Sequence, residues 1–538
     1  MDQNMKQAII RGETSLGIEF GSTRIKAVLM NHNCETICSS SYEWENQLID
    51  GYWTYHLNEI INGLQETYHQ LKQEVENHYG VTLQTIGSIG CSAMMQGYIV
   101  LDQAGELLVP FRTWRNATTG TAALELTEKF QFKIPQRWSI AHLYQAILND
   151  EEHVHHIDYM TTLSGYIHWL LTGNKVLGIG DASGIFPIDE SAQQYNETML
   201  KQFADLIADK DYPWSLKDIL PKFYPAGNHV GYLHEAGARL LDPSGNLQAG
   251  IPLCPPEGDA GTGMVATNSV KKRTGNISAG TSVFVMIVLE KDLSTVYPDI
   301  DIVTTPDGCP VAMVLANNCS SEINAWLGLF GECYEALGLK IDRNELFSVL
   351  FNKALEADAD GGGLLSYGYY SGENITGFAQ GRPLFVRSPQ SHFNLANFMR
   401  VQLFTAFAAL RLGMDTLTQK EQIKIDRIVA HGGLFKTPLV GQKMCAAALN
   451  VPVSVRSTAG EGGAWGMAIL ASYMLHKEQD EGLPDYLATK VFNNGEGQEV
   501  DPDSADVQGF ALFMRRYTEG LAIEQAAVDH FVVSKVFE

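Results

Sequence analysis

The chain lacks long hydrophobic runs, paired cysteine motifs and enough basic residues to balance its acids. Its longest apolar run, residues 283–289, is far too short for a helix that crosses a bilayer. Lysine and arginine number 38 against 62 aspartates and glutamates, a formal net charge of −24. Because nucleic acids and anionic membranes attract basic surfaces, this balance argues against both as partners.

The eight cysteines are scattered, without a Cys-x-x-Cys pair. Cys34 and Cys38 have the spacing of half a metal site, but no matching half follows, so free buried thiols in a reducing compartment are the better interpretation. The polar start of the chain, with no apolar segment after it, predicts no secretory signal. We therefore expect a cytoplasmic protein. Its 538 residues predict two large domains, with three as the alternative.

What the chain does contain is a glycine- and proline-rich turn near its midpoint, residues 255–263, with a central acid, Asp259. The small residues Ala260, Gly261 and Gly263 leave the space around this carboxylate open, which is typical of a place where a substrate approaches the backbone. Taken alone, the turn has a simpler interpretation, because an aspartate in such a turn most often caps a helix. The stretches on either side favour a functional role.

Two stretches of the same design flank this turn. In residues 15–30 an apolar strand carries Glu19 near its end, turns through Gly21-Ser22-Thr23 and returns as a second apolar strand. Residues 274–288 repeat the pattern around Gly280-Thr281-Ser282. Such a turn can offer backbone N–H groups and hydroxyls to a phosphate, with the acid placed to hold Mg²⁺. One copy is better interpreted as a plain hairpin, but two copies half a chain apart predict two halves built alike.

These motifs together resemble the FGGY carbohydrate kinases, and the resemblance runs from about residue 16 to residue 471. It implies an α/β fold of the actin-like ATPase type. That fold has two duplicated ribonuclease H-like domains, each a mixed five-stranded sheet flanked by helices, with a cleft between them. The implied domains are residues 1–267, with the first phosphate loop and the sugar site, and residues 268–480, which bind the nucleotide. Residues 481–538 are an extension packed on the second domain.

The resemblance also implies the activity, which is ATP-dependent phosphorylation of a free sugar hydroxyl with Asp259 as general base. A ketose, above all a pentulose such as ribulose or xylulose, is the expected acceptor. The implied metal contacts to Mg²⁺ are Glu19, where the family usually has aspartate, and Asp259. Residues 430–436 look like the family's glycine pair at the nucleotide, and residues 461–468 like the helix start that follows it. The implied nucleotide-binding residues are Gly21, Ser22, Thr23, Lys26, Gly280, Thr281, Gly432, Gly433 and Lys436.

The sugar site that the resemblance implies departs from the family pattern. Residues 94–98 are similar to its Gln-Met-His-Gly turn, with Met94 and Gln96 replacing the glutamine and the histidine. Residues 111–116 look like its Trp-x-Asp-x-Arg segment, with Asn116 replacing the aspartate. These departures bear on which sugar binds more than on the reaction. The implied substrate-binding residues are Met95, Gln96, Arg115, Asn116, Asp259 and Glu322.

Each of these polar residues has a structural alternative. Gln96, Arg115 and Asn116 can instead belong to a buried polar network that ties two loops together. Glu322 can simply favour the first turn of a helix through the helix dipole. His153, His155 and His156 invite a metal site, but a solvated loop is the preferred interpretation. Residues 178–184 look like a dinucleotide fingerprint, which we reject because the third glycine is one residue late.

Periodicity predicts the surrounding elements. We expect two strands within residues 86–102, a strand at 247–254 that delivers Asp259, and two helices within 140–171. Further helices are expected at 323–330, 395–412, 438–449 and from 509 to about 531. Two other functions remain open: a nucleotide-dependent ATPase or switch, and a catalytically impaired sugar sensor. A homodimer is also possible.

Overall fold

The structure is a computed structural model that describes residues 2–189, 191–456, 462–493 and 497–531. The described residues form two compact units. The first unit comprises residues 2–271, 301–311 and 462–493, and the second unit comprises residues 272–300, 312–456 and 497–531. Residues 462–493 therefore belong to the first unit, whereas the predicted division assigned them to the second domain and its extension.

Strands are numbered along the chain. They are β1 (Thr14–Phe20), β2 (Arg24–Asn31), β3 (Thr36–Glu43), β4 (Gln47–Ile49), β5 (Tyr52–Thr54), β6 (Ser88–Ala93), β7 (Ile99–Leu101), β8 (Tyr159–Thr161), β9 (Val176–Gly178), β10 (Ile188–Asp189), β11 (Gln194–Tyr195), β12 (Lys222–Tyr224), β13 (Gly231–Tyr232), β14 (Pro252–Leu253), β15 (Glu257–Gly258), β16 (Thr274–Ala279), β17 (Val283–Val288), β18 (Ile300–Thr304), β19 (Pro310–Ala316), β20 (Leu365–Tyr367), β21 (Leu384–Val386), β22 (Arg427–Gly432), β23 (Val453–Val455) and β24 (Glu499–Val500).

Helices are numbered in the same way. They are α1 (Asp2–Arg11), α2 (Leu57–Tyr79), α3 (Gly120–Phe130), α4 (Ser139–Leu148), α5 (Leu163–Thr172), α6 (Ile179–Ala182), α7 (Glu197–Leu206), α8 (Leu216–Ile219), α9 (Glu235–Leu241), α10 (Asp259–Ala266), α11 (Ser321–Ala336), α12 (Arg343–Lys353), α13 (Leu395–Asp415), α14 (Val440–Leu449), α15 (Gly462–His476), α16 (Leu483–Tyr486), α17 (Ser504–Glu519) and α18 (Leu521–His530). Short 3₁₀ turns cover Glu152–His156, Ala354–Glu356, Asn374–Thr376 and Gly433–Phe435, and π turns cover Thr416–Lys420 and Leu487–Val491.

The first unit is built on a seven-stranded sheet in the order β13-β14-β6-β1-β2-β3, with β15 also paired to β6. β1 runs antiparallel to β2 and parallel to β6, so the sheet is mixed. β1 is buried along nearly its whole length because α15 packs on it. The apolar residues of β1, β2, β6 and α2 meet in one core. This packing places the carboxyl ends of β1, β6 and β15 at one edge of the sheet.

The second unit repeats this plan in strands ordered β19-β17-β16-β22-β23-β24, which are part of a second seven-stranded sheet. β16 runs antiparallel to β17 and parallel to β22, as β1 does to β2 and β6. The long helix α13, which covers the helix predicted at residues 395–412, is buried over most of its length. The two predicted hairpins thus occupy equivalent places in two equivalent sheets.

The predicted fold class is confirmed: both units are α/β with mixed sheets and flanking helices. The expected strand number is wrong, because each main sheet has seven strands rather than five. The extra strands are short pieces at the sheet edges, such as Gly231–Tyr232 and Glu499–Val500, which carry too little pattern to be predicted. The predicted cleft between the domains stays a prediction.

Most predicted elements are present. The predicted strand at 247–254 is largely wrong: only Pro252–Leu253 is a strand, and Asp259 follows a separate two-residue strand, Glu257–Gly258. The eight cysteines, all among the described residues, form no disulfide; Cys309 is only partly buried and Cys333 is exposed, whereas the others are buried as expected. In the described residues, no helix combines the length and apolar character that crossing a membrane requires.

Candidate active site

Asp259 is the first residue of α10 and directly follows β15. The parallel pairing of β15 with β6 sets Gly258 beside Ala93, so the turn that follows β6 lies next to Asp259. The Met95 N–H donates to Asp259 Oδ1 at 3.2 Å. Asp259 thus lies in the first turn of a helix, but the N-cap is Gly258, so the simpler interpretation that Asp259 caps this helix is wrong. The Asp259 carboxylate instead accepts a hydrogen bond from a different segment of the chain.

The surroundings of Asp259 oppose its ionisation. Burial and the negative charge of Glu19 raise the pKa of Asp259 to about 7, Asp181 adds to the rise, and the Met95 N–H partly offsets it. The residue nevertheless keeps some solvent exposure. A partly accessible carboxylate whose pKa lies near neutrality is suited to accept a proton from a substrate.

Glu19, near the end of β1, is oriented by two elements of the first unit. Its Oε2 accepts a hydrogen bond from the Ala464 N–H at 3.3 Å, at the start of α15. Lys26 lies directly across from it on β2. Burial raises the pKa of Glu19, whereas the Lys26 charge and the N–H groups of Ala464 and Gly463 oppose this rise. The start of α15 thus accommodates the longer side chain that Glu19 has in place of aspartate.

Gly463 makes this arrangement possible. A Cβ at this position would overlap Glu19 Oε1 and would lie 2.7 Å from the Thr262 hydroxyl. Residues 461–468 had been predicted to follow the nucleotide-binding glycine pair. Their described part, from 462 onward, begins α15 and packs against β1 in the first unit, and Glu461 lies outside the described residues.

The loop Gly21–Thr23, which is the predicted first phosphate loop, is braced by three aromatic residues. Trp44 donates its indole N–H to Gly21 O at 2.7 Å, and the Tyr55 hydroxyl donates to Ser22 O at 2.5 Å. Trp44 and Tyr55 stack with their ring centroids 4.0 Å apart. The Trp114 indole N–H donates to Ser22 Oγ at 3.2 Å. These contacts hold the loop in one conformation, whereas the side chain of the next residue, Thr23, is exposed.

The predicted sugar-contact turn has an unusual backbone. Gln96 has a φ of 71° and Gly97 a φ of 84°, both in the left-handed region. The Met95 and Gln96 side chains are buried, and both lie close to Gly184. The Met95 and Gln96 side chains therefore pack inward, while the Met95 N–H donates to the Asp259 carboxylate. Nothing in the residue types alone signals this geometry.

Arg115 and Asn116 are brought together around Trp53. The Arg115 guanidinium lies 3.9 Å from the centre of the Trp53 ring, and the residue is exposed. The Asn116 amide accepts from Trp53 N at 2.8 Å and donates to Trp53 O at 2.8 Å. Asn116 thus ties two loops together, which is the alternative that the sequence left open, while Arg115 keeps an accessible guanidinium.

The segment with three histidines is only partly a solvated loop. His155 and His156 are exposed, but the side chain of His153 is buried and its Nε2 lies 2.9 Å from the Tyr98 hydroxyl. Glu151, which forms an ion pair with Arg112, lies beside His153. The prediction of a solvated loop is therefore wrong for His153. Its side chain instead anchors Tyr98, the last residue of the predicted sugar-contact turn.

Two buried carboxyls near Asp259, those of Glu257 and Asp181, were not among the predicted site residues. Glu257 is buried; its oxygens accept the N–H groups of Gly180 and Asp181 at 3.3 and 3.0 Å. Asp181 is buried too, and its Oδ2 accepts the hydroxyls of Thr162 and Ser164 at 2.6 and 2.5 Å. A Cβ on Gly178 or Gly180 would overlap the Glu257 carboxylate. Gly178 and Gly180, which belong to the segment that resembles a dinucleotide fingerprint, therefore leave space for the Glu257 carboxylate. The glycines are visible in the sequence, but their link to Glu257 is not.

In the second unit, the predicted nucleotide residues meet at one sheet edge. The loop Gly280–Thr281 follows β16, and the glycine pair Gly432–Gly433 follows the parallel neighbour β22, with Ala279 opposite Gly432. The loop is anchored by the Cys319 N–H, which donates to Thr281 O at 2.9 Å. Gly280, Thr281, Gly432, Gly433 and Lys436 are all exposed.

Glu322 lies in the first turn of α11 in the second unit and is buried. Burial raises the pKa of Glu322, and the neighbouring Tyr370 and Trp326 side chains oppose the rise. Nearby, Glu373 accepts the N–H groups of Asn317 and Asn318, so the Ser-Gly-Glu loop is anchored at the end of β19. The structure thus gives Glu322 two aromatic partners in its own unit.

Comparison with known proteins matches both halves of the chain to one family. The family model for the N-terminal domain of FGGY carbohydrate kinases matches residues 14–265, and that for the C-terminal domain matches residues 275–475. A xylulose kinase of Haemophilus influenzae is 22% identical over 529 residues, covering 94% of this chain and 99% of its own. Structures of a xylulose kinase and a gluconate kinase, both from Lactobacillus acidophilus, superpose with TM-scores of 0.77 and 0.76. Each is 18% identical over 96% of this chain, and the matches cover 99% and 98% of those two chains.

Proposed function

The chain belongs to the FGGY family of carbohydrate kinases, and we propose that it transfers the γ-phosphoryl group of ATP to a hydroxyl of a free pentulose, with Asp259 as general base. The observation that carries the proposal is the partly accessible Asp259 carboxylate, which the Met95 N–H orients and whose pKa is raised to about 7. As the hydroxyl oxygen attacks the γ-phosphorus, its proton passes to Asp259. The bond between the γ-phosphorus and the bridging oxygen of ADP then breaks.

Each unit offers one loop that would bind phosphate. The braced loop Gly21–Thr23 and the exposed loop Gly280–Thr281 offer backbone N–H groups and hydroxyls to phosphate oxygens. Gly433 is open to solvent, since nothing lies within 4 Å of a Cβ built on it, and this leaves room for the adenosine. Lys26 beside Glu19 and Lys436 beyond the glycine pair add positive charge.

The carboxylates fit a magnesium ion that arrives with the nucleotide. Among the described residues there is no cluster of three or more metal-binding side chains. Mg²⁺ in phosphoryl-transfer sites, however, needs only one or two carboxylates, with phosphates and water as the other ligands. After burial, the negative charge of Glu19 is the next cause of the raised pKa of Asp259. A cation near the two carboxylates would relieve this repulsion. The ion would neutralise charge on the phosphates, with Glu19 and Asp259 behind its water shell.

The acceptor class is the finer part of the proposal. A relative named xylulose kinase matches nearly the whole chain, which supports a five-carbon ketose. The gluconate kinase structure is about as similar in fold as the xylulose kinase structure, so fold similarity alone supports both acceptor types equally. Gln96 and Asn116, which depart from the family pattern, are both buried, so the exposed Arg115 is the polar group of these segments that is open to a substrate.

The first experiment measures ADP release with Mg·ATP across ketoses, aldoses, polyols and aldonates, with a control that lacks sugar. Strong stimulation by ribulose or xylulose supports the proposal, and stimulation by another sugar retains the kinase but overturns the pentulose. ADP release that does not depend on sugar would favour the ATPase. No release at all, with a thermal shift on sugar addition, would indicate the sensor.

The second experiment tests Asp259 as the base. Asp259→Asn keeps the shape of the side chain but cannot accept the proton, so turnover is expected to fall by about 10²–10⁴-fold. Binding of ATP and of sugar, measured by calorimetry, should stay close to that of the unmodified protein. A nearly normal kcat for Asp259→Asn would remove this residue from the role.

A further inference from the structure

Asp181 lies beneath the sugar-contact turn and is fully enclosed by protein. Its Oδ2 accepts two hydroxyls, those of Thr162 and Ser164 at the start of α5. Its Oδ1 has no hydrogen-bond partner of normal geometry among the described residues, although the Gln96 N–H interacts with the carboxylate. Burying a carboxylate oxygen without a hydrogen-bond partner costs free energy. The orientation of Asp181 therefore calls for a role that compensates this cost.

The direction of Oδ1 connects Asp181 to the reaction site. A Cβ on Gly258 would lie 3.3 Å from Asp181 Oδ1 and would overlap Met95 Cγ, so both side chains lie close to the residue before Asp259. The backbone N–H of the same Met95 donates to Asp259 Oδ1. Two successive N–H groups of one turn thus face two carboxylates: Met95 faces Asp259, and Gln96 faces Asp181.

Glu257 fixes Asp181 in turn. It receives the backbone N–H groups of Gly180 and Asp181, and Gly178 and Gly180 leave no side chain in its way. The carboxylate of Glu257 therefore holds the first turn of α6 against β15, which carries Glu257 itself. The two acids form one buried unit with the turn above them.

We propose that Asp181 is a positioning residue for the phosphoryl transfer: it holds the left-handed turn Gln96–Gly97 by attracting the Gln96 N–H, and thereby aims the Met95 N–H and the Asp259 carboxylate at the acceptor hydroxyl. Glu257 supports it by fixing the backbone of Asp181. The φ of 71° at Gln96 is costly for a residue with a side chain, so the turn needs such a restraint. This inference rests on the proposed role of Asp259.

The test is Asp181→Asn, which keeps the volume but replaces a carboxylate oxygen by an N–H₂ group. With the amide nitrogen toward Gln96, two donors face each other, and with it toward α5, a hydroxyl loses its acceptor. We expect kcat with sugar to fall by about 10–100-fold because the reacting groups are misaligned. The KM for ATP should stay within about twofold, and the ratio of ADP release without sugar to that with sugar should rise.

Asp242→Asn is the matched control. Asp242 is a buried carboxylate of the same unit, lies 3.3 Å from the Lys72 amine and accepts the Leu247 N–H at 3.0 Å. The control should lose stability, measured as the shift of Tm, but keep kcat and the release ratio. Equal kinetic losses in both variants would reduce Asp181 to a structural residue and overturn the proposal.

A second variant covers the case in which Asp181→Asn does not fold. Ser164→Ala removes one of the two hydroxyls on Oδ2 and leaves the carboxylate in place. It should lower kcat by about 3–10-fold with an unchanged KM for ATP. Unmodified kinetics in this variant and in Asp181→Asn would overturn the positioning role. Absence of sugar-stimulated ADP release in the unmodified protein would instead overturn the proposed function.

Discussion

The Met95 N–H donates to Asp259 Oδ1 at 3.2 Å, although the two residues are 164 positions apart in the chain. The contact exists because β6 and β15 are parallel neighbours, so the segments that follow them leave the sheet side by side. It joins the segment that resembles a sugar-contact turn to the acid that resembles a general base. The contact thus brings two separate sequence motifs into one site.

The first prediction concerns pH. A base acts in its deprotonated form, and the pKa of Asp259 is raised to about 7, so kcat/KM should rise with pH up to about 7 and level off above it. Because the negative charge of Glu19 contributes to the rise, Glu19→Gln should move this acid limb to lower pH, whatever it does to the maximal rate. The measurement is kcat/KM for the sugar from pH 5 to 9. An acid limb at the same pH in both proteins would contradict the assigned coupling.

The second prediction concerns Gly463. Gly463→Ala places a methyl group against Glu19 Oε1 and the Thr262 hydroxyl, so Glu19 must turn away or α15 must shift. Kinase activity should fall at least about tenfold. Gly263→Ala is the control, since nothing lies within 4 Å of a Cβ at that position in α10. The measurements are the Tm and the kinase activity of both variants. Equal activity in the two would show that the close approach of Gly463 to Glu19 is unimportant.

The third prediction separates the two glycines after β22. Gly432 has a φ of 108° and a Cβ there would overlap Ala279 O, so Gly432→Ala should destabilise the second unit, seen as a lower Tm. Gly433 has open space around it, so Gly433→Ala should keep the Tm but raise the KM for ATP if adenosine lies there. A Gly433→Ala variant with an unchanged KM would remove this residue from the nucleotide site.

Local pattern was enough to predict the two hairpins and most helices. Residues 15–30 and 274–288 carry long apolar strands separated by short turns of small and hydroxyl residues, which leave few alternatives to a hairpin. The repeat of this pattern predicted two halves built alike, and the resemblance to the FGGY kinases implied their α/β fold. The short edge strands escaped because two residues carry no periodicity.

The sequence alone thus determined the fold class, the carbohydrate kinase family and the candidate base, because these depend on local motifs. Only the tertiary structure decided which partners surround that base. Glu19 meets the start of α15 more than 400 positions later, and the Glu257 carboxylate meets the backbone of Asp181. These contacts depend on how strands and helices pack, and the raised pKa of Asp259 depends on the burial that results. The contacts and the raised pKa both depend on several segments at once, so no single segment of the sequence could predict them.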